Sequence, residues 1–310
     1  MSSAAEEGTK AELAEAETCC ANCGIAEVDD IELEYCDGCD LVKYCGDRCR
    51  EDHREQHEEE CKDRKALLHD RKLMQQPDET HLGECPLCFL PLPLDRQKSG
   101  FYSCCSNTIC NGCVIANVMA HKHDRVKAGS CPFCRECVND REQYSKRQKE
   151  RIKANDPVAL RQIGAKCYEE GDCDAAFEYL TKAAELGDVE AHYQLGLMHW
   201  RGDGVEKDEG KVVYHFERAA IGGHTHARHN LGCTEEDNGN MERAAKHFII
   251  AANLGNVGSM KPLWRYYSAG YITKEELDAT LRTHQAAIDA MKSEQREEAD
   301  ALFLLRQNLR

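Results

Sequence analysis

Small and apolar residues recur at near-regular steps through the second half of the chain. The steps are 32, 36 and 32 residues between Ala159, Ala191, Ala227 and Ser259. A period in the thirties with small residues at fixed places indicates stacked helix pairs, because small residues let neighbouring helices approach closely. The pattern therefore predicts a mostly α fold, with an α-solenoid of about four helix-pair repeats.

Glycines mark the predicted end of each second helix in this pattern. Alanine pairs recur in phase, and a glycine follows each pair within three residues, at Gly187, Gly222 and Gly255. Glycine adopts the left-handed conformation that closes a helix at little steric cost. At the start of the array, Asp156 is the expected N-cap and Pro157 the first helical residue.

Cysteines take the place of core residues in the first half of the chain. Cys45 and Cys49 are four residues apart, as are His57 and Cys61, and this step places each pair on one face of a helix. Charged residues fill most positions between them. Because such a segment buries little apolar surface, bonds to a metal must replace the missing core.

The net charge and the positions of the cysteines restrict which partners and which cellular compartment we expect. The chain has 310 residues, a net charge of -16 and 20 cysteines, all but Cys167, Cys173 and Cys233 lying between Cys19 and Cys137. The acidic balance argues against broad binding to nucleic acid or an anionic membrane. With neither a signal peptide nor a membrane span visible, we expect a reducing cytoplasmic or nuclear location, where paired cysteines bind zinc.

The first cysteine block supplies eight candidate ligands, which fill two tetrahedral zinc sites. Its order of two Cys-x2-Cys pairs, Cys-x3-Cys and His-x3-Cys closely resembles the MYND zinc finger over residues 19–61. The resemblance implies interleaved sites, in which the first and third pairs hold one ion and the second and fourth pairs hold the other. The candidate ligands are Cys20, Cys23, Cys36, Cys39, Cys45, Cys49, His57 and Cys61.

The last helix of this block departs from the family pattern. MYND fingers that bind proline-rich peptides carry Gln and Trp there, at positions that match Arg50 and Arg54 in this chain. The resemblance therefore implies the zinc fold without the aromatic wall of the peptide groove. No SET-like segment follows the block, so the methyltransferases that share this finger are a poor match.

Residues 85–135 form a second cysteine module, with three Cys-x2-Cys pairs and two further cysteines between them. The module resembles a RING finger. The resemblance implies two zinc sites, with two of the pairs in the first site and the third pair in the second. By that resemblance the ligands are Cys85, Cys88, Cys110 and Cys113 in the first site, and Cys105, Cys131 and Cys134 in the second.

The fourth ligand of that second site stays open. The family position falls on Asn107, and an amide is a poor zinc ligand. Cys104 is the nearest replacement and is favoured because zinc prefers thiolates, while His121 and His123 on the following helix are the alternatives. We expect four zinc ions in the whole chain, or three if none of these residues reaches the site.

Three residues of the module matter for function. In RING ubiquitin ligases, residues at the positions of Leu87 and Pro132 contact the ubiquitin-conjugating enzyme, and a cation at the position of Arg135 bridges that enzyme and ubiquitin. An arginine suits such a bridge because it donates several hydrogen bonds from one plane. The alternative is structural: Leu87 packs a small core, Pro132 shapes a turn and Arg135 is solvated.

The repeats in the second half resemble Sel-1-like, or tetratricopeptide-like, repeats. The fullest unit begins at Ala191 and includes the turn GDGV-x-x-D, and the fourth unit drifts after Gly270. The resemblance implies a solenoid that binds a protein partner. Seven histidines spread over the units are interpreted as surface and packing residues: His192, His199, His215, His224, His226, His229 and His247.

The sequence thus predicts two small zinc-stabilised modules followed by an α-solenoid. We expect a zinc-binding adaptor for protein partners, or alternatively a ubiquitin ligase whose solenoid recruits substrate and whose second module recruits the conjugating enzyme. The predicted segments are a disordered lead-in over 1–18, the MYND-like finger over 19–61, a charged linker helix over 62–84, the RING-like finger over 85–135, a charged connecting helix over 136–155, the solenoid over 156–295 and a helical tail over 296–310.

Overall fold

The structure is a computed structural model that describes residues 19–25, 27, 32–136 and 141–308. The expected lead-in over residues 1–18 and the cysteine at position 137 lie outside these ranges. The chain divides into two compact units, Met1–Gln75 and Gln76–Arg310. In the described part of the chain, no helix is both long and apolar enough to cross a membrane.

The described residues of the first unit form two short strands and two helices. Strand β1 (Glu34–Tyr35) pairs antiparallel with β2 (Lys43–Tyr44), and helix α1 (Asp47–Asp52) precedes α2 (Arg54–Leu73). Among the residues that the structure describes in this unit, the buried apolar cluster holds Cys20, Leu33 and Tyr44. A core of this size cannot hold the unit together alone, which leaves that role to metal ligands.

Helix α2 differs from the sequence-based segmentation. A separate linker helix was expected after Cys61, yet α2 continues through that ligand and ends at Leu73. The stretch contains no glycine or proline before Pro77 to interrupt it. Arg71 and Lys72 lie in its last turn, where positive charge interacts favourably with the helix dipole.

The second cysteine module opens the second unit. Strands β3 (Ser99–Tyr102) and β4 (Asn107–Cys110) form an antiparallel hairpin, and helices α3 (Asn111–Ala120) and α4 (Arg125–Ala128) follow. A 3-10 turn, Arg96–Lys98, leads into β3. The buried cluster of the second module consists mainly of cysteines: Cys85, Leu92, Ile109, Cys110, Cys113 and Cys131.

Antiparallel helix pairs form the rest of the second unit, as the repeat period predicts. Buried alanines and leucines fill the spaces between successive helices, in two clusters. The helices are α5 (Arg141–Lys153), α6 (Pro157–Glu169), α7 (Cys173–Glu185), α8 (Val189–Arg201), α9 (Glu209–Ile221), α10 (Thr225–Asp237), α11 (Met241–Asn253), α12 (Met260–Ser268), α13 (Lys274–Ala290) and α14 (Glu294–Asn308).

Side-chain caps recur with the same period as the small residues. Asp156, Asp188, His224 and Asn256 each accept a hydrogen bond from the backbone N–H three residues later. Each cap satisfies a donor that the helix itself leaves unpaired. The predicted N-cap at Asp156 is therefore the first member of a series.

Close packing within the pairs depends on glycine. A Cβ atom added to Gly196 would lie 2.6 Å from the Phe216 ring, and one added to Gly232 would lie 2.7 Å from Phe248. Distances this short require a neighbouring group to move, so these two positions admit only glycine without rearrangement. The Leu-Gly pairs of the sequence pattern are thus the points where aromatic rings of the second helices pack.

One predicted helix cap is displaced by a residue. Gly187 and Gly255 end their helices in the left-handed conformation, with φ of 89° and 90°. In the middle repeat Gly223 has φ of 82°, whereas Gly222, the predicted cap, has φ of -77°. Gly222 instead packs against the start of its own repeat, because an added Cβ would lie 2.5 Å from Val189.

The second module and the segment that leads into it pack directly against the solenoid within this unit. The backbone N–H of His81 donates to the Gly223 carbonyl at 3.2 Å. At the other end of the array, α14 packs along α3, and the Lys98 ammonium lies 2.6 Å from the Asp300 carboxylate. The predicted tail over 296–310 is thus the greater part of a helix that returns to the module.

Two histidines of the second repeat share one hydrogen bond. His192 Nδ1 and His215 Nδ1 are 3.0 Å apart, so one nitrogen donates and the other accepts. Burial and, to a smaller extent, the neighbouring His192, His199 and Lys211 together lower the pKa of His215 to about 4. Protonating both imidazoles would place two N–H groups and two charges against each other.

We predict that acid weakens the solenoid through this pair. Unfolded histidine titrates near pH 6.5, so between that value and about pH 4 the unfolded state binds more protons and stability falls with decreasing pH. Replacing His215→Asn should reduce the pH slope of the unfolding free energy by about one proton, or roughly 1.4 kcal/mol per pH unit. Urea unfolding at several pH values measures this slope.

The exposed His123 provides the control for that experiment. Acid also releases zinc from thiolates, but this effect is common to the wild type and both variants. His123→Asn should leave the slope unchanged. An equal slope in the wild type and in His215→Asn would show that the His192–His215 pair does not resist protonation.

Candidate metal centres

The first unit brings its eight candidate ligands together in two groups of four. Within each group, all ligand atoms lie within 4.8 Å of one another. These are the interleaved groups that the resemblance implies: Cys20, Cys23, Cys45 and Cys49 in one, and Cys36, Cys39, His57 and Cys61 in the other.

The distances in these groups suit zinc. A tetrahedron with Zn–S bonds of about 2.3 Å has edges of about 3.8 Å. The Cys23 and Cys45 sulfurs are 3.6 Å apart, and His57 Nε2 lies 3.1 Å from the Cys39 sulfur. A disulfide would need sulfurs about 2.0 Å apart, which these groups do not show.

Two residues of the finger shape the second of these sites. Gly38 leaves room for a ligand, because an added Cβ would lie 2.9 Å from the Cys61 sulfur. Tyr44 is 1% exposed, and its hydroxyl is 3.0 Å from His53 Nδ1. His53 is thereby engaged by a tyrosine and lies outside both ligand groups, while burial raises the pKa of Tyr44 to about 12.

Arg50 accounts for the departure from peptide-binding fingers. Its guanidinium lies 3.1 Å from Glu34, 3.3 Å from Asp37 and 3.5 Å from Asp47. These contacts bring β1, the metal-binding turn and α1 together. Arg50, one of the two positions expected to differ from a peptide-binding finger, thus holds an ionic contact in this chain.

The second module also gathers eight sulfurs into two groups. They are Cys85, Cys88, Cys110 and Cys113, and then Cys104, Cys105, Cys131 and Cys134. The nearest sulfur pairs are 3.4 to 3.9 Å apart in both groups, which again fits the edges of a zinc tetrahedron. Backbone N–H groups outweigh the effect of burial on Cys85 and lower its pKa to about 7, which favours the thiolate that zinc requires.

The structure places Cys104, rather than a histidine, at the open fourth position. The Cys104 sulfur lies 3.4 Å from that of Cys134. Asn107 instead donates its side-chain amide to the Cys105 carbonyl at 3.1 Å. His121 Nδ1 lies 2.9 Å from the Asn117 carbonyl at the end of α3, and neither His121 nor His123 belongs to a ligand group among the described residues.

The three expected contacts for a conjugating enzyme differ in exposure. Pro132 is buried, and Leu87 is half-buried against the sulfur-rich cluster. Arg135 is exposed, has a φ of 64° and donates to the Asn117 side chain at 2.8 Å. The most exposed apolar side chains of the metal-binding turns are Phe89, at 71%, and Phe133, at 46%.

A third cluster joins His81, Glu190 and His224. Their ligand atoms also lie within 4.8 Å of one another, whereas the sequence indicated surface and packing roles for the solenoid histidines. His224 Nδ1 accepts the N–H of Ala227 at 3.1 Å, so its Nε2 carries the proton and donates to Glu190 at 3.1 Å. A metal would need that nitrogen's lone pair, so the cluster is better explained as a satisfied buried carboxylate.

The remaining contacts of Glu190 agree with this explanation. His81 Nε2 lies 3.3 Å from the same carboxylate oxygen, and Arg96 forms an ion pair with the other oxygen. Burial raises the pKa of Glu190, but the hydrogen bonds from His224 and His81 and the charge of Arg96 outweigh it and hold that pKa well below its usual range. The sequence analysis missed this cluster because His81 lies 109 residues before Glu190, and residues so far apart form no recognisable spacing pattern.

Beside this cluster lies a cavity of about 400 Å³. Its lining includes residues of α6, α8 and the start of α10, called the groove face below, and also His81, Leu82, Leu94 and Arg96, which lie before and after the first ligand pair of the second module. A volume of this size accommodates a small ligand or a few side chains of a peptide. The groove face consists of Tyr168, Glu169, Tyr193, Gln194, Leu197, Arg201 and His226.

Comparison with known proteins agrees with this division of the chain. Residues 20–61 match the family model of the MYND finger. The family model of the Sel1 repeat matches residues 157–188, 189–224 and 226–256. The fourth unit expected from the sequence is not part of that match, and its place is taken by the 3-10 turn Val257–Ser259 with α12 and α13.

Similar proteins are related over part of the chain. Proteins described as "Putative beta-lactamase HcpC" from two Helicobacter pylori strains are 40% identical over 52 and 53 residues, 17% of this chain. The match spans 18% of those relatives, so less than a fifth of their length is represented.

Solved structures with similarity include a Sel1 repeat protein from Oxalobacter formigenes, at 24% identity and a TM-score of 0.42 over 58% of this chain and 76% of that one. A protective antigen of uropathogenic Escherichia coli strains with an SLR fold has 22% identity and a TM-score of 0.39, over 54% of this chain and 37% of that one. On the family matches, residues 20–61 are a MYND finger, and the chain carries three Sel1 repeats between residues 157 and 256.

Proposed function

We propose that this protein is a zinc-binding adaptor that holds a protein partner on the groove face of its solenoid. The observation that carries the proposal is the cavity beside the groove face, to which the first helices of successive repeats contribute. Stacked helical repeats build extended binding surfaces of this kind. The zinc fingers would present further surfaces and hold the metal that stabilises them.

The groove face can be tested by charge reversal. Arg201 is an exposed member of it on α8, and Lys182 is an exposed lysine on α7 outside the cavity lining. Arg201→Glu should release at least one protein that co-purifies with the wild type, because reversal places a negative charge where the partner meets a positive one. Lys182→Glu should retain it.

Quantitative mass spectrometry of proteins bound to the three immobilised chains measures the difference. Circular dichroism confirms that the variants keep their helices. If every bound protein is retained equally by the wild type, Arg201→Glu and Lys182→Glu, the partner does not use the groove face and this part of the proposal fails.

We predict four zinc ions in the purified chain. Cys104→Ala should lower the count to three, because it removes one of four sulfurs from the second site of the second module. His121→Ala is the matched control and should leave the count at four. Elemental analysis of the proteins after gel filtration measures the stoichiometry, and a loss of zinc from His121→Ala alone would contradict the assignment of Cys104.

A ubiquitin ligase is the second candidate function. The exposed Arg135, directly after the last ligand, and the exposed Phe89 and Phe133 on the metal-binding turns support it. Such a ligase needs no nucleophile, because it orients a thioester that another enzyme has formed. Against it, Pro132 is buried and Leu87 packs on the sulfur-rich cluster, so the contact surface differs from the expected one.

Replacing Arg135→Ala separates the two candidates. The residue is not a ligand, so zinc content should persist. In a ligase, ubiquitin transfer should fall at least tenfold, because the variant loses a charge-assisted contact to ubiquitin. Lys127→Ala, an exposed charge on α4, should transfer at the wild-type rate.

Transfer is measured as autoubiquitination with a panel of conjugating enzymes. In an adaptor, neither the wild type nor the variants show transfer. Full activity in a zinc-loaded Arg135→Ala protein would remove the proposed role of that arginine, even if the ligase function stood.

A further inference from the structure

We propose that Arg296, on the C-terminal helix α14, is a positioning residue of the first metal centre in the second module. It hydrogen-bonds to a ligand sulfur and compensates the charge of the bound metal and its thiolates. The inference rests on zinc filling this centre, as proposed above, and it assigns a role in metal binding to the end of the chain.

The guanidinium contacts the turn that carries the first ligand pair. Its Nη2 donates to the Cys88 sulfur at 3.4 Å and to the Leu90 carbonyl at 3.2 Å. Its Nη1 donates to the Pro91 carbonyl at 2.7 Å and to the Met291 carbonyl at 2.6 Å. One planar group thus holds the metal-binding turn against the start of α14.

The backbone around Arg296 is shaped for this approach. An added Cβ on Gly112, between two ligands of the same centre, would lie 3.0 Å from the Arg296 Cγ and 3.1 Å from its backbone nitrogen. Ala299, one turn later, is fully buried. The glycine and the alanine are the small residues that let α14 lie directly over the centre.

Charge explains why an arginine occupies this place. Four thiolates around Zn²⁺ give the centre a net charge of about -2. Arg296 is 6% exposed, and within the described part of the chain its guanidinium pairs with no carboxylate. A buried cation without a counter-charge is strongly destabilising, so the metal–thiolate centre supplies the negative charge that Arg296 requires.

This arrangement couples metal binding to the docking of α14. Groups that hydrogen-bond to metal ligands commonly change metal affinity 10- to 100-fold when they are removed. By linkage, the metal stabilises the docked helix as much as the docked helix stabilises the metal. The last helix is therefore expected to detach more readily when the centre is empty.

Zinc release from the full-length chain tests the proposal. A chromophoric chelator in excess reports the rate for each of the four ions. In Arg296→Gln, one ion in four should leave about tenfold faster or more, and Arg296→Lys should lie between this variant and the wild type because it keeps the charge but not the planar fork. Arg282→Gln, an exposed arginine on α13, is the matched control.

A second measurement separates a role at the sulfur from mere docking of the helix. In the Co²⁺-substituted protein, loss of the Arg296 hydrogen bond should shift the sulfur-to-cobalt charge-transfer band to longer wavelength, since the thiolate becomes a better electron donor. Asp300→Asn removes the ion pair with Lys98 and weakens docking without touching the centre. It should leave the band unchanged.

The outcomes distinguish the inference from the function on which it rests. A wild-type chain that binds no zinc in the second module would overturn the proposed metal centre itself. With four ions bound, release rates and bands that are identical in Arg296→Gln and the wild type would overturn the role of Arg296. Equal effects in Asp300→Asn and Arg296→Gln would overturn it as well, because docking alone would then explain the change.

Discussion

A buried carboxylate, that of Glu190, joins the second cysteine module to the solenoid. It is 6% exposed and receives contacts from His81 and Arg96 of the module side and from His224 of the next repeat. Breaking one side of such a cluster leaves an uncompensated buried charge, at a cost of roughly 3–5 kcal/mol. This contact therefore helps to fix the orientation of the module beside the groove face, next to the cavity that both of them line.

The sequence predicted what depends on local spacing and periodicity. Ligand pairs three or four residues apart can be recognised from sequence, because such side chains meet on one turn or one helix face. The period of the small residues likewise identifies the helix pairs. Contacts between distant residues carry no such signal: nothing near His81 points to Glu190, and nothing near Arg296 points to Cys88. The displaced cap at Gly223 was missed for another reason, since two adjacent glycines look alike until the packing of Gly222 on Val189 is known.

The charged segment before the first repeat contacts both the second module and the repeats. Arg151, on the charged helix expected to connect the module to the repeats, donates to the Asp156 carboxylate at 2.6 Å and to the Cys104 carbonyl at 3.2 Å. Ser106 donates to the same carboxylate at 2.7 Å. Asp156, the N-cap of the first repeat, thus also contacts the loop that carries Cys104 and Cys105. Arg151, a charged residue of the predicted connecting helix, therefore lies in the interface between the module and the first repeat.

Both candidate metal centres of the second module therefore receive an arginine from the helical array. Arg151, before the first repeat, reaches the backbone at Cys104, and Arg296, after the last, reaches the sulfur of Cys88. The two ends of the array contact different centres. An ion in the centre that includes Cys104 would therefore stabilise the start of the array, and an ion in the centre that includes Cys88 would stabilise its end. The MYND finger lies in the other compact unit, and both of its ligand groups consist of its own residues.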